Sequence, residues 1–171
     1  MRNPGRGYRN EFRIIGGEWR RRRLGFPALP GIRPSPDRVR ETLFNWLQGV
    51  VQGAQCLDLF AGSGALGLEA LSRGAASCVF VDQERVVVET LREHLETLHA
   101  PAAEPIQTDA LAYLSGPGQR FDLVFLDPPF ATELLRRALE RLAAGAWLAP
   151  GARVYIECEA GTMPALPADW R

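Results

Sequence analysis

The spacing of apolar and polar positions changes along this chain, and the change divides it in two. Near the N-terminus, the apolar stretch Phe12 to Ile15 and the stretch Glu18 to Phe26 flank Gly16-Gly17. That pattern predicts two strands joined as a β-hairpin, with the run Arg20 to Arg23 on or beside it. Pro27, Pro30, Gly31 and Pro34 then make an irregular connector. Ser35-Pro36 has the chemistry of a helix start, with Ser as N-cap and Pro at the first helical position. Val39, Leu43, Phe44 and Leu47 recur at helical spacing, which predicts a helix to about Gln48 with those side chains on its buried face.

Beyond residue 56, short apolar runs alternate with helical patterns. Strands are expected at Cys56 to Phe60, Ser77 to Val81, Glu104 to Thr108, Phe121 to Leu126 and Ala152 to Cys158. Helices are expected from the turn at Ala61 to Gly64 through Arg73, then over Glu84 to Leu98, Ala110 to Ser115 and Thr132 to Ala144. Strands that alternate with helices form a parallel sheet with right-handed crossovers, an α/β fold.

Composition narrows the class. The chain has 171 residues, 46% hydrophobic and 23% charged, as in a soluble globular domain. No apolar run approaches the roughly 20 residues needed to cross a bilayer. The Arg-rich start lacks the apolar segment of a signal peptide, so a cytoplasmic protein is expected. Residues 1–10, rich in Gly, Asn and Arg, are expected to be disordered. Cys56, Cys78 and Cys158 each fall in an apolar run, which reads as core packing in a reducing compartment. Their spacing does not match a zinc site, and no metal is expected. The net charge of zero conceals an asymmetry: residues 1–40 hold eleven Arg against Glu11, Glu18 and Asp37, and the remainder is acidic by the same margin. A basic arm on an acidic domain suggests a polyanionic partner such as nucleic acid.

The chemistry concentrates at the strand ends. Gly62, Gly64 and Gly67 make a G-x-G-x-x-G run between a strand and a helix, where the backbone can approach a ligand and helix N–H groups are unpaired. Asp82, at the next strand end, is placed to accept from two ribose hydroxyls. That much also fits a nicotinamide dinucleotide. Asp58, four residues before the first Gly, argues otherwise, because a carboxylate beneath the loop suits a cationic amino group and not a pyrophosphate. Asp109 marks a third acidic strand end, where an adenine amino group can be read. Asp127-Pro128-Pro129-Phe130 follows the fourth strand directly. Two consecutive prolines fix the backbone and remove two donors. The Asp127 side chain and the Pro128 carbonyl are then free to accept the two hydrogens of an exocyclic amine, and Phe130 offers a ring for the base to stack on.

These motifs carry a resemblance. Asp58 to Ala75 and Asp127 to Phe130 resemble the cofactor and catalytic loops of the amino-methyltransferases, and Arg13 to Leu24 followed by Ile32 to Leu47 resembles the N-terminus of the RsmD family. The likeness spans nearly all of residues 12–171. It implies a seven-stranded, Rossmann-like class I methyltransferase sheet, with residues 1–34 a basic arm and hairpin for RNA and residues 35–171 the catalytic domain. It implies S-adenosylmethionine as cofactor, held by Asp58, Ala61, Gly62, Ser63 and Gly64, with Asp82 on the ribose and Asp109 and Ala110 on the adenine. Asp127 to Phe130 would hold the target, guanine 966 of 16S rRNA, methylated at N2. The RNA would be met by Arg20, Arg21, Arg22, Arg23, Arg33 and Arg38, the substrate being a partly assembled small subunit and the enzyme a monomer. Arg33, Arg38 and Arg40 are candidates for either the cofactor carboxylate or an RNA phosphate. Members of the family continue past the segment resembling Leu166 to Trp170 into a final strand pair, so this chain is expected to lack that pair and leave one sheet edge open. The alternatives left by the motifs are amino methylation of DNA at adenine N6 or cytosine N4, methylation of a protein glutamine amide, and a non-catalytic RNA-binding module. Nicotinamide-dependent redox chemistry is disfavoured by the Asp127 to Phe130 loop.

Overall fold

Each central strand is apolar on both faces, and that fixes the layering. The computed structural model describes residues 8–100, 102–129 and 132–171. Its elements in chain order are β1 (Asn10–Arg13), β2 (Arg23–Phe26), α1 (Asp37–Trp46), β3 (Gln55–Asp58), α2 (Ala65–Ser72), β4 (Ser77–Asp82), α3 (Arg85–Thr97), β5 (Ala103–Gln107), α4 (Ala110–Tyr113), β6 (Phe121–Leu126), α5 (Thr132–Ala144) and β7 (Leu148–Ile156). Five strands pair in parallel in the order β5-β4-β3-β6-β7. Period-two alternation sends Cys56, Cys78, Phe80, Leu123 and Phe125 to one face, into a core with α1, α2, α3 and the hairpin. Leu57, Val79, Val81, Val124 and Leu126 go to the other face, under α4 and α5. The order reverses between β3 and β6, a topological switch point at whose carboxyl ends α/β sheets open a crevice.

The sheet has five strands where the family resemblance implied seven. Residues 157–171 contain turns and the prolines Pro164 and Pro167 but no strand, so β7 pairs with β6 alone among the described residues. That strand also starts earlier than expected. Phe121 pairs with Leu148 while Leu123 pairs with Arg153, a bulge near Gly151 that adopts φ of 75°.

The N-terminal hairpin is shorter than its apolar pattern suggests, because residues 15–19 dock on α2 and residues 20–22 form the turn that returns to Ile14. Glu18 N donates to the Ser72 carbonyl at 2.8 Å, Trp19 N to Ser72 Oγ at 3.0 Å, and Ser72 Oγ to the Gly16 carbonyl at 2.6 Å. Gly17 has φ of 77°, and a Cβ there would sit 1.8 Å from the Ser72 carbonyl oxygen, so only glycine permits the contact. Trp19, Phe12, Leu24 and Phe26 are all buried in the same core as the sheet. Asn10 already belongs to β1, and Tyr8 hydrogen-bonds Thr90 at 3.2 Å, so order begins earlier than composition suggested. Residues 1–7 lie outside the described residues.

The first helix corrects two expectations. Ser35 is not its cap: Pro36 takes that position with no side-chain capping bond, and the Ser35 hydroxyl donates to Glu157 Oε2 at 2.8 Å. Val39 is 39% exposed, and the buried stripe is Arg40, Leu43, Phe44 and Leu47. An arginine takes the inward position because a carboxylate waits for it. Glu69, fully buried on α2, accepts from Ile15 N at 2.9 Å, Gly16 N at 2.8 Å, Arg73 Nε at 2.8 Å and, more weakly, Arg40 Nη1 at 3.4 Å. Arg40 spends its other donors on the Ser35 carbonyl at 3.0 Å, the Arg13 carbonyl at 2.8 Å and Asp37 Oδ1 at 2.6 Å. With its side chain buried at 1% exposure and outside the cleft lining, it is not presented to a cofactor carboxylate or an RNA phosphate.

Removing one partner of a buried ionic network strands the others, at a cost of about 3–5 kcal/mol. Glu69→Ala should show that loss as a lower urea midpoint with an unchanged slope, and Glu69→Gln should lose less, because its amide oxygen still accepts. A loss under about 1 kcal/mol for Glu69→Ala, the worth of a surface pair, would contradict the hub.

Candidate active site

The crevice at the switch point is a cleft of about 570 Å³, within the roughly 300–1,000 Å³ typical of small-molecule sites. Its floor comes from the end of β3 and the loop after it: Asp58, Phe60, Ala61, Gly62 and Ser63. One wall is Asp127, Pro128 and Pro129, directly after β6, and the connector from Gly31 to Pro36 covers the opposite side. Glu157 and Cys158, just past β7, close the end.

Local geometry follows from sequence. Gly62 and Gly64 have φ of 53° and 78°, in the left-handed region that the turn into α2 requires. At Gly64 a Cβ would meet Leu91 Cδ2 at 2.3 Å, so the loop lies hard against α3. Asp58 is 2% exposed and accepts from Gly67 N at 3.0 Å, tying β3 to the first turns of α2. Asp82 accepts from Gly62 N at 3.0 Å and Glu84 N at 2.9 Å, so it braces the glycine loop from behind.

The electrostatics of the cleft are those of crowded, desolvated carboxylates. Burial pushes Asp58 up to about 8, against the pull of the Gly67 N–H and with Asp127 and Asp82 adding repulsion. Burial, then the charge of Glu157, pushes Asp127 up to about 7. The Tyr155 phenol is also raised, by burial and by Glu157. Such a site favours a ligand that brings positive charge and N–H donors.

Of the residues expected to form the site, Asp58, Ala61, Gly62, Ser63, Arg33, Asp127, Pro128 and Pro129 meet in this one cleft. Gly64 and Asp82 stand behind the loop. Asp109 is the N-cap of α4, accepting from Ala112 N at 2.9 Å, and neither it nor Ala110 lines the cleft. Arg38 is exposed on α1, away from the cleft lining, and Arg20 to Arg23 are exposed on the hairpin, with Arg23 near Glu11 at 3.8 Å. Phe130 lies outside the described residues. Cys56 and Cys78 are buried with thiols pushed up by desolvation, but Cys158 is half-buried on the cleft, because β7 ends at Ile156. Sequence reasoning missed Glu157 as a cleft residue, although it follows an apolar strand as Asp127 does. Ser35 heads the segment up to Leu47 that the family resemblance places over the methionine end of the cofactor, and it does line the cleft.

Comparison with known proteins decides the family. The family model described as Conserved hypothetical protein 95 matches residues 12–171. The ribosomal RNA small subunit methyltransferase D of Escherichia coli (strain K12) is 47% identical over 171 residues, covering 99% of this chain and 86% of that protein. The chain belongs to the RsmD family. The Haemophilus influenzae protein of the same name is 43% identical, covering 95% of this chain and 86% of that protein. Among solved structures, the Escherichia coli methyltransferase yhhF superposes with a TM-score of 0.87 at 48% identity, over 95% of this chain and 89% of its own. A Thermus thermophilus 16S rRNA N2 methyltransferase, RsmC, solved with AdoMet and guanosine, gives a TM-score of 0.63 at 26% identity, over 85% of this chain and 40% of its own. The parallel sheet flanked by helices is that of the class I methyltransferases to which these structural neighbours belong.

The raised Asp58 has a consequence for stability. Unfolded, it ionises near 3.8; folded, it holds its proton to about 8. Between those values the folded state binds more protons, so this group lowers stability as pH rises from about 4 to about 8, and the effect then levels off. Asp58→Asn keeps an acceptor for the Gly67 N–H and loses the titration. Urea midpoints for the two proteins should diverge over that window, the variant being the more stable at pH 8. Parallel profiles would mean that Asp58 is ionised throughout.

Proposed function

We propose that this chain transfers a methyl group from S-adenosylmethionine to the exocyclic N2 of guanine 966 in 16S rRNA. The observation that carries this reading is the juxtaposition, across one cleft, of the glycine loop with Asp58 beneath it and the Asp127-Pro128-Pro129 wall. When bound, the cofactor supplies an electrophilic methyl group on a sulfonium. Its amino group is cationic, which fits the buried Asp58 carboxylate, and the glycine turn lets the backbone come close to its carboxyl end. Asp82 is assigned to the ribose hydroxyls, and Asp109 with Ala110 to the adenine.

The chain's own residues position the acceptor nitrogen. Asp127 accepts no hydrogen bond from any described residue, so its carboxylate is free for an amine hydrogen. Pro128 and Pro129 have no N–H, which keeps their carbonyls unpaired locally and the backbone fixed. With both amine hydrogens held by Asp127 and the Pro128 carbonyl, the nitrogen lone pair is aimed along the line of attack, and positioning supplies most of the rate. Asp127 also stabilises the positive charge that develops on nitrogen. Phe130 is assigned the stacking face. A base in duplex RNA cannot reach such a cleft, so the target nucleotide is unstacked first. No step needs a metal.

Arg20 to Arg23, exposed on the docked hairpin, together with Arg33 at the cleft and Arg38 on α1, are assigned to the RNA backbone. A partly assembled small subunit is the substrate we favour, with the enzyme acting as a cytoplasmic monomer. The described residues include no helix long and apolar enough to cross a membrane.

Replacing Arg20 to Arg23 with Ser should weaken RNA binding and flatten its dependence on salt, since fewer counterions are released. An unchanged salt slope would leave the run as a solvated face. At Asp127, alanine should lower the single-turnover rate at saturating RNA and cofactor by on the order of 10²-fold, with cofactor and RNA affinities little changed. Asparagine should be milder, since its carbonyl oxygen still accepts. Wild-type rate should rise with pH through about 7 as Asp127 ionises, and the rise should be absent from Asp127→Asn. A wild-type rate in Asp127→Ala would reduce Asp127 to a structural role.

A further inference from the structure

Glu157 has no part in the mechanism above, yet its position is tightly specified. Leu126 of β6 pairs with Ile156 of β7, and Glu157 N donates to the Leu126 carbonyl at 2.8 Å. Asp127 and Glu157 are thus the next cross-strand neighbours, on parallel strands spaced about 4.8 Å apart. Both line the cleft. Glu157 Oε2 receives the Ser35 hydroxyl at 2.8 Å and the Tyr155 hydroxyl at 3.3 Å. Its Oε1 receives no hydrogen bond from a described residue, and no cation among the described residues forms a salt bridge with either carboxylate. A carboxylate braced at one oxygen and free at the other, beside the one assigned to the target amine, needs a second N–H donor next to that amine.

Base chemistry identifies the donor. Adenine and cytosine each set a ring nitrogen lone pair beside the exocyclic amine on the Watson–Crick edge, which a carboxylate repels. Guanine alone sets a ring N–H there. Resting on the methyltransferase reading, we infer that Glu157 accepts the N1–H of the target guanine and is the residue that makes the cleft select guanine over adenine and cytosine. Ser35 and Tyr155 hold its carboxylate in the required orientation. Because Arg40 anchors the Ser35 carbonyl, the brace is itself fixed to the buried network around Glu69. A site built to pair a substrate hydrogen discriminates strongly against an analogue that lacks it, since its own polar group is left unpaired.

The test uses RNA carrying 2-aminopurine in place of the target guanine. That base keeps the N2 amine but presents a lone pair at N1. In single-turnover assays at saturating RNA and cofactor, the wild-type enzyme should prefer guanine by on the order of 10²-fold. Glu157→Gln can turn its amide N–H toward the N1 lone pair, so the preference should shrink at least tenfold, mostly through slower transfer to guanine. Glu157→Asp should keep the preference at a lower rate. The inference is overturned if wild-type enzyme methylates both bases equally, or if Glu157→Gln slows both by the same factor, as a purely structural brace would. Equal rates on the two bases by wild-type enzyme overturn the inference even if a variant fails to fold, and Glu157→Asp, which keeps the carboxylate, separates loss of the acceptor from loss of the fold. Transfer to neither base by wild-type enzyme would instead overturn the methyltransferase reading on which the inference rests.

Discussion

A carboxylate sealed from water must find donors inside the protein, and Glu69 draws them from three separate parts of the chain. Backbone N–H groups of Ile15 and Gly16 come from the hairpin connection, Arg40 from α1, and Arg73 from the end of its own helix. Leaving any donor unmatched is costly at zero exposure. The N-terminal hairpin, the first helix and the glycine-loop helix are therefore held at fixed relative positions. The same network reaches the cleft, since Arg40 grips the Ser35 carbonyl and Ser35 donates to Glu157. A segment that composition alone would assign to a basic appendage is in this way part of the scaffold that shapes the site.

On that scaffold, the parallel sheet gathers acidic strand ends at one edge. Asp58 and Asp127 lie on β3 and just past β6, on either side of the switch point, and Glu157 follows on the adjacent strand. Desolvation and mutual repulsion raise both aspartates toward neutrality. In the proposed function, a ligand brings a cationic amine to one and an N–H donor to the other, so that binding and catalysis draw on the electrostatics that disfavour ionisation in the cleft.

The strand-end logic was legible in the sequence because it is local. Apolar runs and glycine spacing put Asp58, Gly62 and Asp127 at strand ends that the structure brings into one cleft, and gave β6 and α5 their observed limits. What failed depended on partners distant in sequence. The stretch from Glu18 to Arg22 looked like strand, but the Glu18 and Trp19 N–H groups are drawn to Ser72 and those of Arg20 to Arg22 bond within the turn. Arg40 was a candidate for the cofactor carboxylate or an RNA phosphate and Val39 for the core, and the two exchange places because Glu69, 29 residues away in the chain, draws Arg40 inward. Ser35 had the pattern of a cap and gave its hydroxyl to Glu157, 122 residues on.

The central claim is that this cleft directs a methyl group to one guanine amine. The most direct measurement is to incubate the purified protein with methyl-labelled S-adenosylmethionine and either naked 16S rRNA or partly assembled small subunits, then locate the label by nuclease digestion and mass spectrometry. The account predicts a single N2-methylguanine, formed more efficiently on the partly assembled particle. Label on an adenine N6, a cytosine N4 or a protein amide, or no transfer to either substrate, would contradict it.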